Sequence, residues 1–183
     1  MNMKKQSIKS HLKPYSIIQK RKTTINHAFA SALAPTDDYN EQYINNALES
    51  LDQNPDDDLT CIYCGNAAET WDHLIGLVKD AELRGYGHQV GNLVPCCKEC
   101  NSSKGSKDWQ VFIDSKIHDE KTRSSLKRHL QTYIERFAKP VDIDTIKTEM
   151  PKEFAKYSSI KEQIFGLMTE ADVLAERIRN NKK

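Results

Sequence analysis

Long apolar runs are absent from this sequence, and apolar residues as a whole are sparse. Hydrophobic residues make up 38% of the 183 residues, and charged residues make up 29%. No stretch approaches the ~18 apolar residues that a membrane-spanning helix requires. The first residues are basic but lack the apolar run of a signal peptide. We therefore expect a soluble, cytoplasmic protein with a small core and helices that have wide polar faces.

An excess of charge of one sign is also missing, because the formal net charge is only +1. The net charge by itself predicts no nucleic-acid partner. The distribution is uneven, however: residues 1–36 contain seven Lys or Arg and no Asp or Glu, whereas residues 37–60 contain eight Asp or Glu and no Lys or Arg. This asymmetry favours either a nucleic-acid contact through the basic segment or a solvated tail.

Glycine is scarce too, and six of the seven glycines lie within residues 60–107 together with all the cysteines. The pattern predicts a basic, flexible arm over residues 1–24 and a helical segment over 25–59, in which Thr36 caps a helix. A core follows over 60–116, with β-like runs at 70–77 and 92–95. Helices are predicted at 107–115, at 119–137 and from Pro151 onward, so that 117–183 forms a C-terminal helical region.

The last predicted helix carries apolar residues at alternating spacings of three and four. They are Tyr157, Ile160, Ile164, Leu167, Ala171, Leu174 and Ile178. This is the period of a coiled-coil seam over three heptads. Two interpretations remain open: a homodimer through the C-terminal helix, or a helix that packs on its own domain.

In a reducing compartment, the five cysteines do not suggest disulfides; they suggest metal ligands or reactive thiols, and their spacing decides between the two. Cys61-x-x-Cys64 and Cys97-x-x-Cys100 are two pairs whose spacers let both thiolates of each turn face one ion. Four thiolates favour Zn²⁺ over Mg²⁺ or Ca²⁺. The pairs are therefore predicted to hold a structural zinc, with Cys96 as an alternative to Cys97. The 32 intervening residues leave room for further chemistry.

Polar residues between the two pairs have the character of a hydrolytic site. Asp72 and His73 are adjacent, so in a regular strand they point to opposite faces. At a strand end or bulge, the two can converge on one phosphate. The pair then supplies an anionic metal ligand and a neutral base. Asn92 precedes an apolar run, and Asn101 follows Cys100 directly, so a zinc site would fix its position.

The order of these residues resembles the HNH nuclease motif of the ββα-metal fold, including the zinc-binding pairs that flank it in many members. The resemblance covers about residues 60–110 and rests on Asp72-His73, Gly87-His88, Gly91-Asn92-Leu93-Val94-Pro95, Cys97, Cys100-Asn101 and Lys104-Gly105. It implies a ββα-metal (HNH) core stapled by the four-cysteine zinc site. With the helices that the sequence pattern predicts on either side of this core, the expected fold is α+β and mainly helical, with N-terminal helices and a long C-terminal helical extension.

The resemblance also implies roles for individual residues. His73 would be the general base that activates water, and Asp72 would bind the catalytic divalent ion together with Asn101. Asn92 would brace the loop between the strands and orient His73 by hydrogen bonding. Asn101 stands where the name-giving pattern has His, and its amide oxygen favours Mg²⁺ or Mn²⁺. Contacts to substrate phosphates are expected from Lys104, Lys107 and His88.

The predicted function is that of a metal-dependent endonuclease acting on double-stranded DNA, in restriction, phage defence or a mobile element. One alternative is a non-catalytic zinc module that binds nucleic acid or protein, and a second is a nuclease effector or toxin. The adjacent Asp72 and His73 argue against a module that only needs its zinc. Trp71 is interpreted as a packing residue and is left out of the site.

Overall fold

Helices dominate the protein, and the strands are short. A computed structural model describes residues 5–80 and 82–181. The elements are α1 (Ile17–Ser31), α2 (Glu41–Glu49), β1 (Thr70–His73), β2 (Val78–Lys79), β3 (Glu82–Leu83), β4 (Leu93–Cys96), α3 (Lys98–Lys104), α4 (Trp109–Lys116), α5 (Glu120–Phe137), α6 (Ile143–Glu149) and α7 (Pro151–Asn180), with 3₁₀ turns at Lys5–Ser10 and Val90–Asn92. The protein is thus α+β and mainly helical. Within the described ranges, no helix has the length and apolarity needed to cross a membrane.

The chain divides into two compact units. One contains Met1–Phe29 with Met150–Lys183, and the other contains Ala30–Glu149. This division differs from the expected segments at 1–24, 25–59, 60–116 and 117–183. The reason is that α1 pairs with α7, which lies far away in sequence, whereas α2, α4 and α5 pack around the cysteine-rich core.

In the first unit, α7 holds α1 near both of its ends. The Asp172 carboxylate accepts hydrogen bonds from the Ile17 and Ile18 amides at 2.7 and 3.2 Å, so it caps the start of α1. Near the other end, the Tyr157 hydroxyl donates to the Phe29 carbonyl oxygen at 2.7 Å. Residues 17–24 are therefore helical instead of forming part of an arm. Residues 1–4 lie outside the described ranges.

In the second unit, α2 begins later than its sequence indicates. Asn40 is the N-cap, because its side-chain oxygen accepts from the Tyr43 amide at 2.8 Å. Thr36, the expected cap, instead forms an isolated bridge with His88. A tertiary contact therefore takes Thr36 away from the helix start.

Strands β1 and β4 form an antiparallel pair, in which Asp72 lies opposite Val94 and His73 lies opposite Leu93. Helix α3 follows β4 directly, so β1, β4 and α3 surround the polar residues of the candidate site. Below them lies the apolar core, whose largest fully buried members include Phe112, Leu51, Leu74, Ile113 and Leu130. A hairpin of β2 and β3 and the short α6 complete this unit, and the sequence pattern predicted neither.

Candidate metal centre and active site

Four cysteines converge at one point of the second unit. The sulfur atoms of Cys61, Cys64, Cys97 and Cys100 all lie within 4.8 Å of one another. A tetrahedral ion with Zn–S bonds of ~2.3 Å needs sulfurs roughly 3.8 Å apart, and the Cys64 and Cys97 sulfurs are 3.7 Å apart. The donors and their spacing therefore fit zinc, and the cluster could hold a structural metal of this kind.

Local backbone geometry prepares both turns for such an ion. The Gly65 amide donates to the Cys61 carbonyl oxygen at 2.8 Å, and Gly65 has φ = +74°, which glycine adopts without steric cost. Cys97 is the N-cap of α3, and its sulfur lies 3.4 Å from the Cys100 amide. Burial raises the pKa of Cys61, but backbone hydrogen bonds, chiefly from Cys97, outweigh it and lower that pKa to about 7. Cys61 is thus already close to the thiolate form that a metal requires.

Cys96, the alternative ligand, lies outside this cluster. Its side chain is fully buried among apolar residues, and its sulfur is 4.0 Å from that of Cys61 and 3.3 Å from the Cys97 carbonyl oxygen. Burial raises the pKa of the Cys96 thiol, which keeps it protonated. The geometry therefore favours Cys97 over Cys96 as the fourth ligand.

The Asp72 carboxylate is buried and already has partners. It accepts a hydrogen bond of 2.7 Å from the Tyr63 hydroxyl, and the Lys104 ammonium lies 3.1 Å away. Lys104 also donates to the His73 carbonyl oxygen at 2.7 Å. The Lys104 side chain is only 2% exposed, so the expectation that it contacts a substrate phosphate is corrected. Burial of a carboxylate requires a counter-charge, and Lys104 supplies it.

Asn101 reaches the same strand from α3. Its amide nitrogen donates to the Thr70 hydroxyl oxygen at 2.7 Å. Thr70 and Asp72 project to one face of β1, because side chains alternate along a strand. The structure therefore brings Asp72 and Asn101 to one strand–helix interface. Their oxygens suit Mg²⁺ or Mn²⁺ chemically, but Lys104 holds Asp72, so the carboxylate is not open to an ion in this arrangement.

His73 lies on the opposite face of β1 and meets a second histidine. Its Nε2 is 3.1 Å from Nδ1 of His88, and the ring centroids are 5.0 Å apart. His88 is exposed, and its carbonyl oxygen accepts from the Asp37 amide at 3.2 Å. Burial, and then the charge of His88, lower the pKa of His73 below its usual value. A neutral His73 that can accept a proton is the result.

Asn92 is completely buried and braces the loop after β1. Its side-chain oxygen accepts from the Ile75 amide at 2.8 Å, and its NH₂ group donates to the carbonyl oxygens of Ile75 and Gly87, both at 3.0 Å. Both amide protons are thus engaged by the backbone. Asn92 therefore orients His73 through the loop and not through the direct hydrogen bond that the resemblance implies.

Of the residues expected to contact phosphates, Lys107 and His88 are exposed. The Lys107 ammonium donates to the Ser103 carbonyl oxygen at 2.7 Å and lies 5.9 Å from the Phe112 ring centre. Both contacts are made by the ammonium group itself, and the residue as a whole remains exposed. Of the two lysines expected to contact phosphates, Lys107 is exposed and Lys104 is buried.

Three residues around the site were missed by the sequence reading. Tyr63 holds Asp72, and no sequence pattern points to that contact. Trp71, which the sequence analysis interprets as a packing residue, is 49% exposed, and Tyr39 is 82% exposed. Strand alternation could have identified Trp71, since a buried Asp72 turns both its neighbours to the other face.

The comparisons with known proteins give no relative: no family model, no curated protein and no solved structure matches this chain.

Proposed function

We propose that the chain is an HNH-type endonuclease that hydrolyses phosphodiester bonds of DNA with the help of a divalent ion. The observation that supports this most is the His73–His88 pair at the surface of β1. It lies in a two-strand and helix unit that also carries Asp72, Asn92 and Asn101. A module whose only task is to hold zinc needs no histidine pair at this place.

The residues of the site divide the chemistry. His73, whose lowered pKa keeps it neutral, accepts the proton of the attacking water, and His88 shares a hydrogen bond with it. Lys107 contacts a neighbouring phosphate. Asp72 and Asn101 are the residues that would hold Mg²⁺ or Mn²⁺. For this, Lys104 would have to leave Asp72, and the end of β1 would have to bend so that Asp72 and His73, which lie on opposite faces of the strand, meet one phosphate. When bound, such an ion neutralises charge that develops on the phosphate.

The four cysteines have a structural duty in this proposal. A zinc ion at Cys61, Cys64, Cys97 and Cys100 ties the turn before β1 to the start of α3. Because Asn101 follows Cys100 and Lys104 lies one turn further, zinc would fix the helix face that meets β1. The metal of the cysteine cluster thus positions the site, and the divalent ion belongs to the reaction.

One observation favours a second candidate, a zinc-binding module without catalytic activity that binds nucleic acid or protein. The Asp72–Lys104 ion pair is complete and buried, as in a structural core. Cleavage separates the two candidates, since both need the cysteine cluster and only the nuclease needs His73.

Double-stranded DNA in a restriction, phage-defence or mobile-element setting remains the proposed substrate. A homodimer through α7 would bring two such sites into one assembly, and two sites could cut both strands of a symmetric target.

The test is plasmid and oligonucleotide cleavage by the full chain with Mg²⁺ or Mn²⁺. We expect the His73→Ala variant to lose at least about 100-fold in rate, the usual range for a general base, with unchanged zinc content and thermal unfolding. His118→Ala, at an exposed histidine elsewhere in the same unit, is the matched control. Cleavage by His73→Ala at the normal rate, or no cleavage by the unaltered protein, would reject the nuclease.

A further inference from the structure

An apolar pocket opens on the second unit beside the candidate active site. Its volume is about 310 Å³, and its wall includes Tyr39, Ile44, Leu48, Trp71, Leu93 and Tyr133. The wall is almost entirely apolar. Two of its members, Tyr39 and Trp71, are aromatic and exposed, so their rings are available to a ligand.

We propose that this pocket binds one unpaired nucleobase of the substrate, which stacks on Trp71 and Tyr39. The inference rests on the proposed nuclease function and names the part of the substrate that the pocket binds. Every base has an apolar π-face, so stacking on aromatic side chains suits nucleic acid of any sequence. A base within reach must first leave the double helix or come from a single strand.

The position of the pocket relative to His73 supports this occupant. Trp71 and His73 are two residues apart on β1, which places their side chains on one face with Cα atoms about 7 Å apart. Leu93, another wall residue, lies directly opposite His73 in the strand pair. One nucleotide spans a similar distance, so a base in the pocket leaves its own phosphate beside the histidine pair.

The surrounding charges define which way the nucleotide lies. Asp38 and Glu41 are exposed next to Tyr39 and repel phosphate from that rim. His88 is exposed and lies against His73, away from this acidic rim. The apolar base therefore enters the pocket, and the anionic backbone remains over His73 and His88.

Trp71 also provides the readout for a test that needs no cleavage. The chain has two tryptophans, and the other, Trp109, is buried. Fluorescence quenching by a ligand therefore reports mainly on Trp71. The protein is the full chain with His73→Ala, so the probes stay intact. The probes are a single-stranded oligonucleotide, an abasic strand of equal length and charge, a duplex and an apolar peptide.

We expect the base-containing strand to quench the fluorescence and to bind at least about tenfold more tightly than the abasic strand. In an otherwise identical assay with labelled strands, Trp71→Ala removes this difference and Trp71→Phe keeps most of it. Val111→Ala, at an exposed apolar residue on α4, is the matched control and leaves it unchanged.

Equal binding of the two strands, no binding of either, or a preference for the peptide would overturn the pocket assignment. So would a Trp71→Ala variant that folds normally and still prefers bases. Cleavage of DNA by the unaltered protein together with any of these results leaves the nuclease standing and the pocket refuted. Base-dependent binding without cleavage would support the pocket assignment and reject the nuclease.

Discussion

At the scale of single residues, Asp72 and Lys104 stabilise each other inside the protein. Their side chains are 6% and 2% exposed, and the Tyr63 hydroxyl donates a further hydrogen bond to the carboxylate. A buried charge without a partner is far less stable than either a complete pair or an apolar replacement. The pair therefore stabilises the packing of α3 against β1, and a divalent ion would have to compete with Lys104 for Asp72.

Removal of one member of this pair should destabilise the protein strongly. We expect Lys104→Met to lower the free energy of unfolding by about 3–5 kcal/mol, because Asp72 is left buried and uncompensated. The double variant Lys104→Met with Asp72→Leu should recover most of the loss. Urea unfolding followed by circular dichroism measures both.

Lys98→Met is the control for that experiment, since the Lys98–Glu69 pair lies at the surface, where ion pairs contribute little. A Lys104→Met protein as stable as the unaltered one would show that the Asp72–Lys104 contact does not hold β1 to α3.

If the chain is the proposed nuclease, the histidine pair should give its cleavage rate a recognisable pH dependence. Burial and the charge of His88 both lower the pKa of His73. His73 acts as a base only when it is neutral. The cleavage rate should therefore fall toward acid pH with a midpoint below ~6.5, the ordinary pKa of histidine. The His88→Ala variant removes the charge of His88 and lessens the burial of His73. The pKa of His73 therefore rises, and the acid limb of the pH–rate profile moves to higher pH. Cleavage rates normalised to each plateau measure this, and His118→Ala should leave the limb in place. A limb that stays or moves to lower pH in His88→Ala contradicts the arrangement.

At the scale of elements, local signals predicted some boundaries well and tertiary contacts decided others. Asp119 caps α5 by accepting from the Thr122 amide at 2.7 Å, and Pro151 opens α7, both as the sequence indicates. The start of α1 combines both kinds of signal. The Ser16 hydroxyl accepts from the Gln19 amide at 3.2 Å, a local capping pattern that the prediction overlooked. Asp172, from the far end of the chain, caps the same turn through the Ile17 and Ile18 amides, and no local pattern contains that second contact.

The candidate site shows the same division. Cysteine spacing predicts the metal cluster because two-residue spacers are a local property. The burial of Lys104 could not be predicted, since a lysine in the last turn of an exposed-looking helix is normally solvated. The contact between His73 and His88 was also out of reach, because it depends on how the glycine-containing loop folds back on β1.

The cysteine cluster leads to a prediction about metal content. We expect about one zinc per chain by atomic emission, and none in a Cys97→Ala variant, whose cluster loses one of four ligands. Cys96→Ala should keep its zinc, since Cys96 lies outside the cluster. Extraction with a chelator should lower the unfolding temperature of the unaltered protein, because the ion cross-links β1 and α3 through their flanking turns. Zinc retention by Cys97→Ala and its loss from Cys96→Ala would reverse the assignment.

At the scale of the whole molecule, the seam of α7 is used in two ways. Tyr157 faces α1 and bonds to it, and Phe165 is buried, so part of the apolar surface packs within its own unit. Ile160, Leu167, Leu174 and Ile178 remain exposed, and the first three are each seven residues apart. Both interpretations of the sequence pattern therefore retain support: intramolecular packing for one part of the helix and a free heptad stripe for the other.

This stripe predicts self-association of the full chain. Leu167, 66% exposed, and Leu174, 48% exposed, would be covered in an α7–α7 pair. We expect sedimentation equilibrium to give a mass near twice the 21.0 kDa of one chain. The double variant Leu167→Lys and Leu174→Lys should sediment as a monomer, since facing lysines repel each other. Val111→Lys, at an equally exposed apolar residue outside the stripe, should still dimerise.

If cleavage of both strands requires two sites, the monomeric variant should nick plasmid DNA where the dimer linearises it. A monomer at all concentrations for the unaltered chain would instead assign the stripe to the surface of a monomeric protein.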